Sequence, residues 1–176
     1  MNKYIFIDRD GTIIKDANYL DNINDIIFFP NSIRVLGELN KSGYNIVIVT
    51  NQSGIGRGFF NDSEFHRVNN HMIDILKFNG VIILETLYCP HTPSENCGCR
   101  KPKNGLFEKF KNNNSIDLKN SWMIGDKFTD VEFGKTSSLN TILFDPSLKY
   151  EKETQNHYHA DNYLTIKKII IENEKR

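Results

Sequence analysis

Short apolar runs, each ended by a polar or glycine-containing cluster, alternate along the chain with stretches whose apolar residues recur every three or four positions. Lys3–Ile7 is such a run, rich in β-formers and stopped by Asp8-Arg9-Asp10-Gly11, so a strand passing into a loop is expected there. From Asn31 onward Ile33, Leu36 and Leu39 fall at helical spacing, with Asn31 placed to cap the start and Gly43 just past the end. Ile46-Val47-Ile48-Val49 is continuous and β-branched and ends at Thr50-Asn51, the pattern of a parallel strand covered on both faces. A glycine-rich stretch (Gly54, Gly56, Gly58) follows. Asn61, with Glu64 three residues on, then opens a helix whose apolar side is Phe65, Val68, Met72, Ile75 and Leu76. Val81–Tyr88 reads as a third strand, Gly105–Lys111 as a helix, Trp122–Ile124 and Thr141–Phe144 as two more strands, and Tyr163–Glu174 as a closing helix. Strand, helix, strand repeated in this way predicts a doubly wound, Rossmann-like parallel α/β sheet.

Composition narrows the reading. At 176 residues, one catalytic unit over 1–176 is expected, and 39% hydrophobic with 25% charged residues is a globular balance. Lys and Arg number 22 and Asp and Glu also 22, so no bulk field gathers polyanions, and neither nucleic acid nor an anionic membrane is an expected partner. No apolar run approaches the ~18 residues of a membrane span, and the first residues lack the apolar region of an export signal, so a cytoplasmic protein is expected. The 3 cysteines all lie within 89–99, an odd number that suits a metal site better than a disulfide framework.

In such a sheet, functional groups collect where strands end, because the loops there diverge into a crevice. The predicted strands deliver Asp8 and Asp10, then Thr50 and Asn51, then Asp126 with Lys127 and Asp130; Arg100 and Lys101 precede a helix start. A carboxylate pair with a third acid nearby is a hard-oxygen site suited to Mg²⁺. A carboxylate approaching a phosphate dianion meets repulsion of about 4 kcal/mol per unit pair at ~4 Å and an effective dielectric near 20. A divalent ion and a lysine offset such repulsion, which is most of what phosphoryl transfer asks of a protein.

With those residues the chain resembles the haloacid dehalogenase-like phosphatases. Asp8-Arg9-Asp10-Gly11-Thr12 is similar to the first motif of that family, Thr50-Asn51 to the second, Lys101 to the third, and Gly125-Asp126-Lys127 with Asp130 to the fourth. The resemblance implies that Asp8 attacks phosphorus to form an aspartyl-phosphate, and that Asp10 protonates the leaving alkoxide and then activates water. It implies that Thr50 and Lys101 neutralise the phosphoryl group, with Mg²⁺ on Asp8, the Asp10 backbone carbonyl and Asp126. The stretches between motifs are already occupied by helices, strands and loops, leaving no room for a separate cap domain.

Cys89-Pro90-His91 and Cys97-Gly98-Cys99 present three thiols and an imidazole in a loop, the ligand set of a closed structural Zn²⁺ site. Arg100 and Lys101 follow the last ligand directly, so zinc at 89–99 is expected to aim these cations. The stretch Asn51–Gly58 lacks the Gly-Lys-Ser/Thr ending of a nucleotide-binding loop. Together with Thr50–Ile55, the zinc loop and Gly125-Asp126-Lys127 resemble the D-glycero-D-manno-heptose 1,7-bisphosphate 7-phosphatases. That likeness implies removal of the 7-phosphate in nucleotide-activated heptose synthesis for bacterial surface glycans, with Asn51, Gln52, Ser53, Arg100 and Lys127 touching a small sugar bisphosphate. Two departures stand out: a short loop between His91 and Cys97, and Asn18-Tyr19 in place of Gly-Tyr. A monomer is expected. Histidinol-phosphate phosphatase is the nearest rival, and a polynucleotide 3′-phosphatase is disfavoured by zero net charge. Among non-enzymes, a receiver-like module would need a carboxylate where the third strand ends in Tyr88-Cys89, and a zinc-stabilised binding module would not need intact catalytic motifs.

Overall fold

The computed structural model describes residues 1–150 and 157–174. Its frame is a parallel sheet of β1 (Lys3–Ile7), β2 (Tyr44–Asn51), β3 (Ile83–Cys89), β4 (Trp122–Gly125), β5 (Asn140–Phe144) and β6 (Tyr158–Ala160), in the order β3-β2-β1-β4-β5-β6. The crossovers contain α1 (Ser32–Lys41), α2 (Ser53–Gly56), α3 (Asp62–Phe78), α4 (Gly105–Lys111) and α5 (Phe128–Thr136), and α6 (Tyr163–Glu174) closes the chain. This is the doubly wound sheet that the alternating pattern predicts.

The period-two alternation of strand side chains divides the core in two. Ile5, Ile7, Ile46, Ile48 and Ile124 face one layer, where Val35, Leu36 and Leu39 of α1, Val68, Met72 and Leu76 of α3, and Tyr163, Ile166 and Ile170 of α6 pack. Tyr4, Phe6, Val47, Val49 and Met123 face the other, against Phe107 and Phe110 of α4 and Phe133 of α5. The α3 start is closed as expected: the Asn61 side chain accepts from Glu64 N at 3.0 Å, and Asn61 N donates to Glu64 Oε2 at 2.7 Å.

Three local readings change. Asn31 occupies the cap position of α1, but at φ 64° its side chain makes no capping hydrogen bond. The third strand begins at Ile83, because Val81 closes the α3 turn through its N–H to Leu76 O at 3.0 Å. Helices α2 and α5 and strand β6 are additional: α2 is a single turn of 4 residues inside the glycine-rich stretch, α5 buries Asp130 and Gly134 beside Val131 and Phe133, and β6 is only 3 residues long, too short to show a period. Among the described residues no helix is long and apolar enough to cross a membrane.

Candidate active site

The strand order reverses between β1 and β4, so their outgoing loops part and leave a crevice at their carboxyl ends. Asp8 N donates to Ile124 O at 2.9 Å, which carries the Asp8 carboxylate from the last β1 pairing into that crevice. Asp126 follows β4, and Asp130 lies four residues on, in the first turn of α5. One carboxylate oxygen from each of Asp8, Asp126 and Asp130 falls within a 4.8 Å cluster able to hold a metal ion.

Lys101 enters this cluster from the loop before α4. Its buried Nζ lies 2.7 Å from Asp8 Oδ1, 2.6 Å from Asp130 Oδ1 and 2.6 Å from the Val49 carbonyl. Burial works against the Lys101 charge, but Asp130 and Asp8 outweigh it and hold the ammonium protonated well above its ordinary range. Burial raises the Asp8 pKa, Lys101 partly offsets this, and Asp130 adds to it. Burial, then the Asp8 charge, pushes Asp126 up to about 7.

Both Asp130 oxygens are occupied, Oδ1 by Lys101 and Oδ2 by the Lys127 N–H at 3.0 Å. Asp126 Oδ1 is buried and finds no hydrogen-bond partner among the described residues. A cation fits there, on Asp126 and Asp8 rather than on Asp130. Two glycines make the room. A Cβ at Gly11, whose φ is +84°, would lie 2.4 Å from Asp126 Oδ2, and one at Gly125 would lie 2.3 Å from Asp130 Cγ.

Asp8 and Lys101 open into a cavity of about 510 Å³ lined also by Asp10, Thr50, Asn51, Gln52, Ser53, Arg100 and Lys127. Asn51 uses its amide on the backbone of Lys101, accepting from its N–H at 3.0 Å and donating to its carbonyl at 3.1 Å. The Asp10 carboxylate stands outside the metal-type cluster and is held by Arg9 and Gln52. Arg100 reaches the His91 carbonyl at 3.2 Å. The half-exposed Lys127 ammonium lies 3.6 Å from Asp16 and 4.0 Å from Asp126.

The β2–β3 register pairs Asn51 with Cys89, so the cysteine loop begins beside the cavity. Cys89 Sγ lies 3.5 Å from Cys97 Sγ and 3.2 Å from Cys99 Sγ, which is 3.4 Å from Cys97 Sγ; His91 Nδ1 is 3.2 Å from Cys99 Sγ and 3.6 Å from Cys89 Sγ. A tetrahedron with Zn–S of about 2.3 Å and Zn–N of about 2.0 Å has edges of roughly 3.5–3.8 Å, so the four atoms surround a zinc-sized centre. Burial works against a Cys97 thiolate, but hydrogen bonds from Cys99, Cys89 and nearby backbone bring the thiol down to about 7.

The family model for polynucleotide kinase 3 phosphatase matches residues 3–168. The chain belongs to this family of haloacid dehalogenase-like phosphatases. A "Probable D-glycero-D-manno-heptose-1,7-bisphosphate 7-phosphatase" of Thermoplasma volcanium is 44% identical over 138 residues, 78% of this chain and 94% of the relative. A "D-glycero-alpha-D-manno-heptose-1,7-bisphosphate 7-phosphatase" of Photorhabdus laumondii is 35% identical, with 96% of each chain covered. A "Histidine biosynthesis bifunctional protein HisB" of Blochmanniella floridana is 36% identical over 99% of this chain but only 46% of the relative. The crystal structure of D,D-heptose 1,7-bisphosphate phosphatase from B. bronchiseptica, complexed with magnesium and phosphate, superposes with a TM-score of 0.87 over 97% of this chain and 98% of its own; at 23% identity this is a likeness of fold.

In this haloacid dehalogenase-like phosphatase two residues carry contacts that the sequence reading did not assign. Asp130 is the second anchor of Lys101, and its place in the fourth motif was the available signal. Arg9 is buried on Asp10 and Gln52, and nothing local marks a charged residue as buried.

Proposed function

We propose that this chain is a Mg²⁺-dependent phosphoric monoester hydrolase that removes the 7-phosphate from D-glycero-D-manno-heptose 1,7-bisphosphate. Supporting the substrate are the two relatives of that name, one of them matched over nearly the whole of both chains. Supporting the chemistry is one observation: Lys101 bridges Asp8 and Asp130 at 2.7 and 2.6 Å, inside a cluster that also holds Asp126.

An Asp8 carboxylate oxygen attacks phosphorus, and the bond from phosphorus to the sugar oxygen breaks as Asp10 delivers a proton to that oxygen. Water then attacks the aspartyl-phosphate, Asp10 takes its proton, and inorganic phosphate leaves with Asp8 restored. Lys101 and the Thr50 hydroxyl bind the transferring oxygens. Arg100 and Lys127, on the cavity wall, suit the second phosphate. Asp8, Asp126 and the Asp10 backbone carbonyl would hold Mg²⁺, which when bound supplies positive charge against the incoming phosphate. Cys89, His91, Cys97 and Cys99 would hold a structural Zn²⁺. We read the protein as one cytoplasmic, monomeric catalytic unit over 1–176.

The family description names a polynucleotide phosphatase, but equal numbers of acidic and basic residues, 22 each, supply no field for a nucleic-acid strand. The match to the bifunctional histidine-biosynthesis protein keeps histidinol phosphate as the second reading. Phosphate release with Mg²⁺ from sugar bisphosphates, histidinol phosphate and a 3′-phosphorylated oligonucleotide tests the substrate. The highest kcat/KM is expected for the heptose bisphosphate. Preference for histidinol phosphate would replace the substrate and leave the chemistry.

Asp126 also makes a stability prediction. Its folded-state pKa of about 7 lies above the ordinary 3.8, so the folded chain holds a proton that the unfolded chain releases. Its contribution is therefore favourable at low pH and is lost as pH rises towards 7, with Asp8 shifted in the same direction. The metal-free protein is expected to melt lower at pH 7.5 than at pH 5.5, and added Mg²⁺ to raise Tm more at pH 7.5. Equal Mg²⁺ shifts at both pH values count against these acids as its ligands.

A further inference from the structure

Arg9 has no part in the roles proposed above, yet it is 1% exposed and lines the cavity. Its Nε lies 3.2 and 3.0 Å from the two Asp10 oxygens, and NH2 lies 2.9 Å from Asp10 Oδ2 and 3.2 Å from Gln52 Oε1. The guanidinium also stands over the Phe65 ring, 5.2 Å from its centroid. Gln52, likewise buried, gives Nε2 to Asp10 Oδ2 and to Thr50 Oγ1, at 2.8 Å each.

Donor and acceptor rules leave this network one arrangement. Arginine only donates, so the Gln52 amide must turn Oε1 to Arg9 and its NH₂ to Asp10. Both Gln52 protons are then used, the second on the Thr50 oxygen. Because Thr50 Oγ1 accepts, its own proton is the one left to donate. Asp10 Oδ2 collects three donor contacts, whereas Oδ1 has only the 3.2 Å contact to Arg9 Nε.

We infer that Arg9 and Gln52 are positioning residues for the phosphatase reaction: Arg9 fixes Gln52, and together they reserve Asp10 Oδ1 for proton exchange with the leaving oxygen and aim the Thr50 proton at the phosphoryl group. This rests on the phosphatase reading above. It moves Gln52 from the substrate-contact set to the machinery that orients Asp10 and Thr50.

The test is kcat and KM for phosphate release from the heptose bisphosphate by R9K, Q52L and D10N, singly and with R9K or Q52L added to D10N. R9K keeps the charge and loses the planar fork, so kcat is expected to fall about 100-fold with KM within about threefold. On top of D10N it is expected to cost less than about threefold, because residues that act through one another are not additive. An equal loss in both backgrounds marks a purely structural arginine and overturns the inference. Q52L is expected to lower kcat at constant KM; a raised KM with kcat unchanged makes Gln52 a substrate contact and also overturns it. Should R9K fail to fold, the Q52L cycle decides, with a smaller loss expected in D10N than in the parent and an equal loss overturning the proposal. If wild type prefers histidinol phosphate, the substrate assignment fails, and the cycles run on that ester still decide the roles of Arg9 and Gln52.

Discussion

Asp8→Asn is expected to lower turnover by about 10⁴-fold or more while leaving the protein folded, because it removes the attacking oxygen and almost nothing else. An asparagine has the shape of the carboxylate but is a far weaker nucleophile. Lys101 keeps Asp130 at 2.6 Å and the Val49 carbonyl at 2.6 Å, so the ammonium stays paired. The Asp8 carboxylate is also costly to bury and stands beside Asp126 and Asp130, so neutralising it relieves like-charge repulsion. The metal-free variant is therefore expected to melt no lower than the parent. Steady-state phosphate release and a thermal melt check both halves. Activity within tenfold of the parent removes Asp8 as the nucleophile.

The second large effect concerns the cysteine loop. Cys99 Sγ lies 3.2 Å from Cys89 Sγ, 3.4 Å from Cys97 Sγ and 3.2 Å from His91 Nδ1, so Cys99→Ser removes an atom that touches each of the other three ligands. The wild-type chain is expected to carry about one zinc by elemental analysis, and the variant little. Arg100 is tied back to the His91 carbonyl, and the Lys101 backbone to the Asn51 amide. Without the metal, the loop holding both cations gains freedom, and ordering it falls on the substrate. kcat/KM is expected to drop about 100-fold. The two cores flanking the sheet do not include the loop, so damage should stay local and appear first as proteolysis within residues 90–104. Fully active wild-type protein without zinc would defeat this account.

Most of the sheet was legible in the sequence because strands and helices impose short periods on their own residues. Lys3–Ile7, Gly105–Lys111 and Tyr163–Glu174 have the bounds their patterns predict. Helix α5 was not legible, since its buried residues are Asp130 and Gly134 as well as Val131 and Phe133, which leaves no apolar stripe to read. Strand β6 exists because β5 offers it an edge, a condition that its own residues cannot display.

The site divides along the same line. Residue identity and order name the acids, the lysine and the thiols, because the chemistry of each is carried by its own side chain. The tertiary structure decided which of them meet: the order β2-β1-β4 brings Asp8 beside Asp126, and the β2–β3 register sets Cys89 beside Asn51. It also decided that Asp130 anchors Lys101, that Asn51 serves the loop backbone and that Arg9 is buried on Asp10. Those outcomes depend on distances between residues as far apart in the chain as Asp8 and Lys101, which only sheet order, register and the closure of long loops determine.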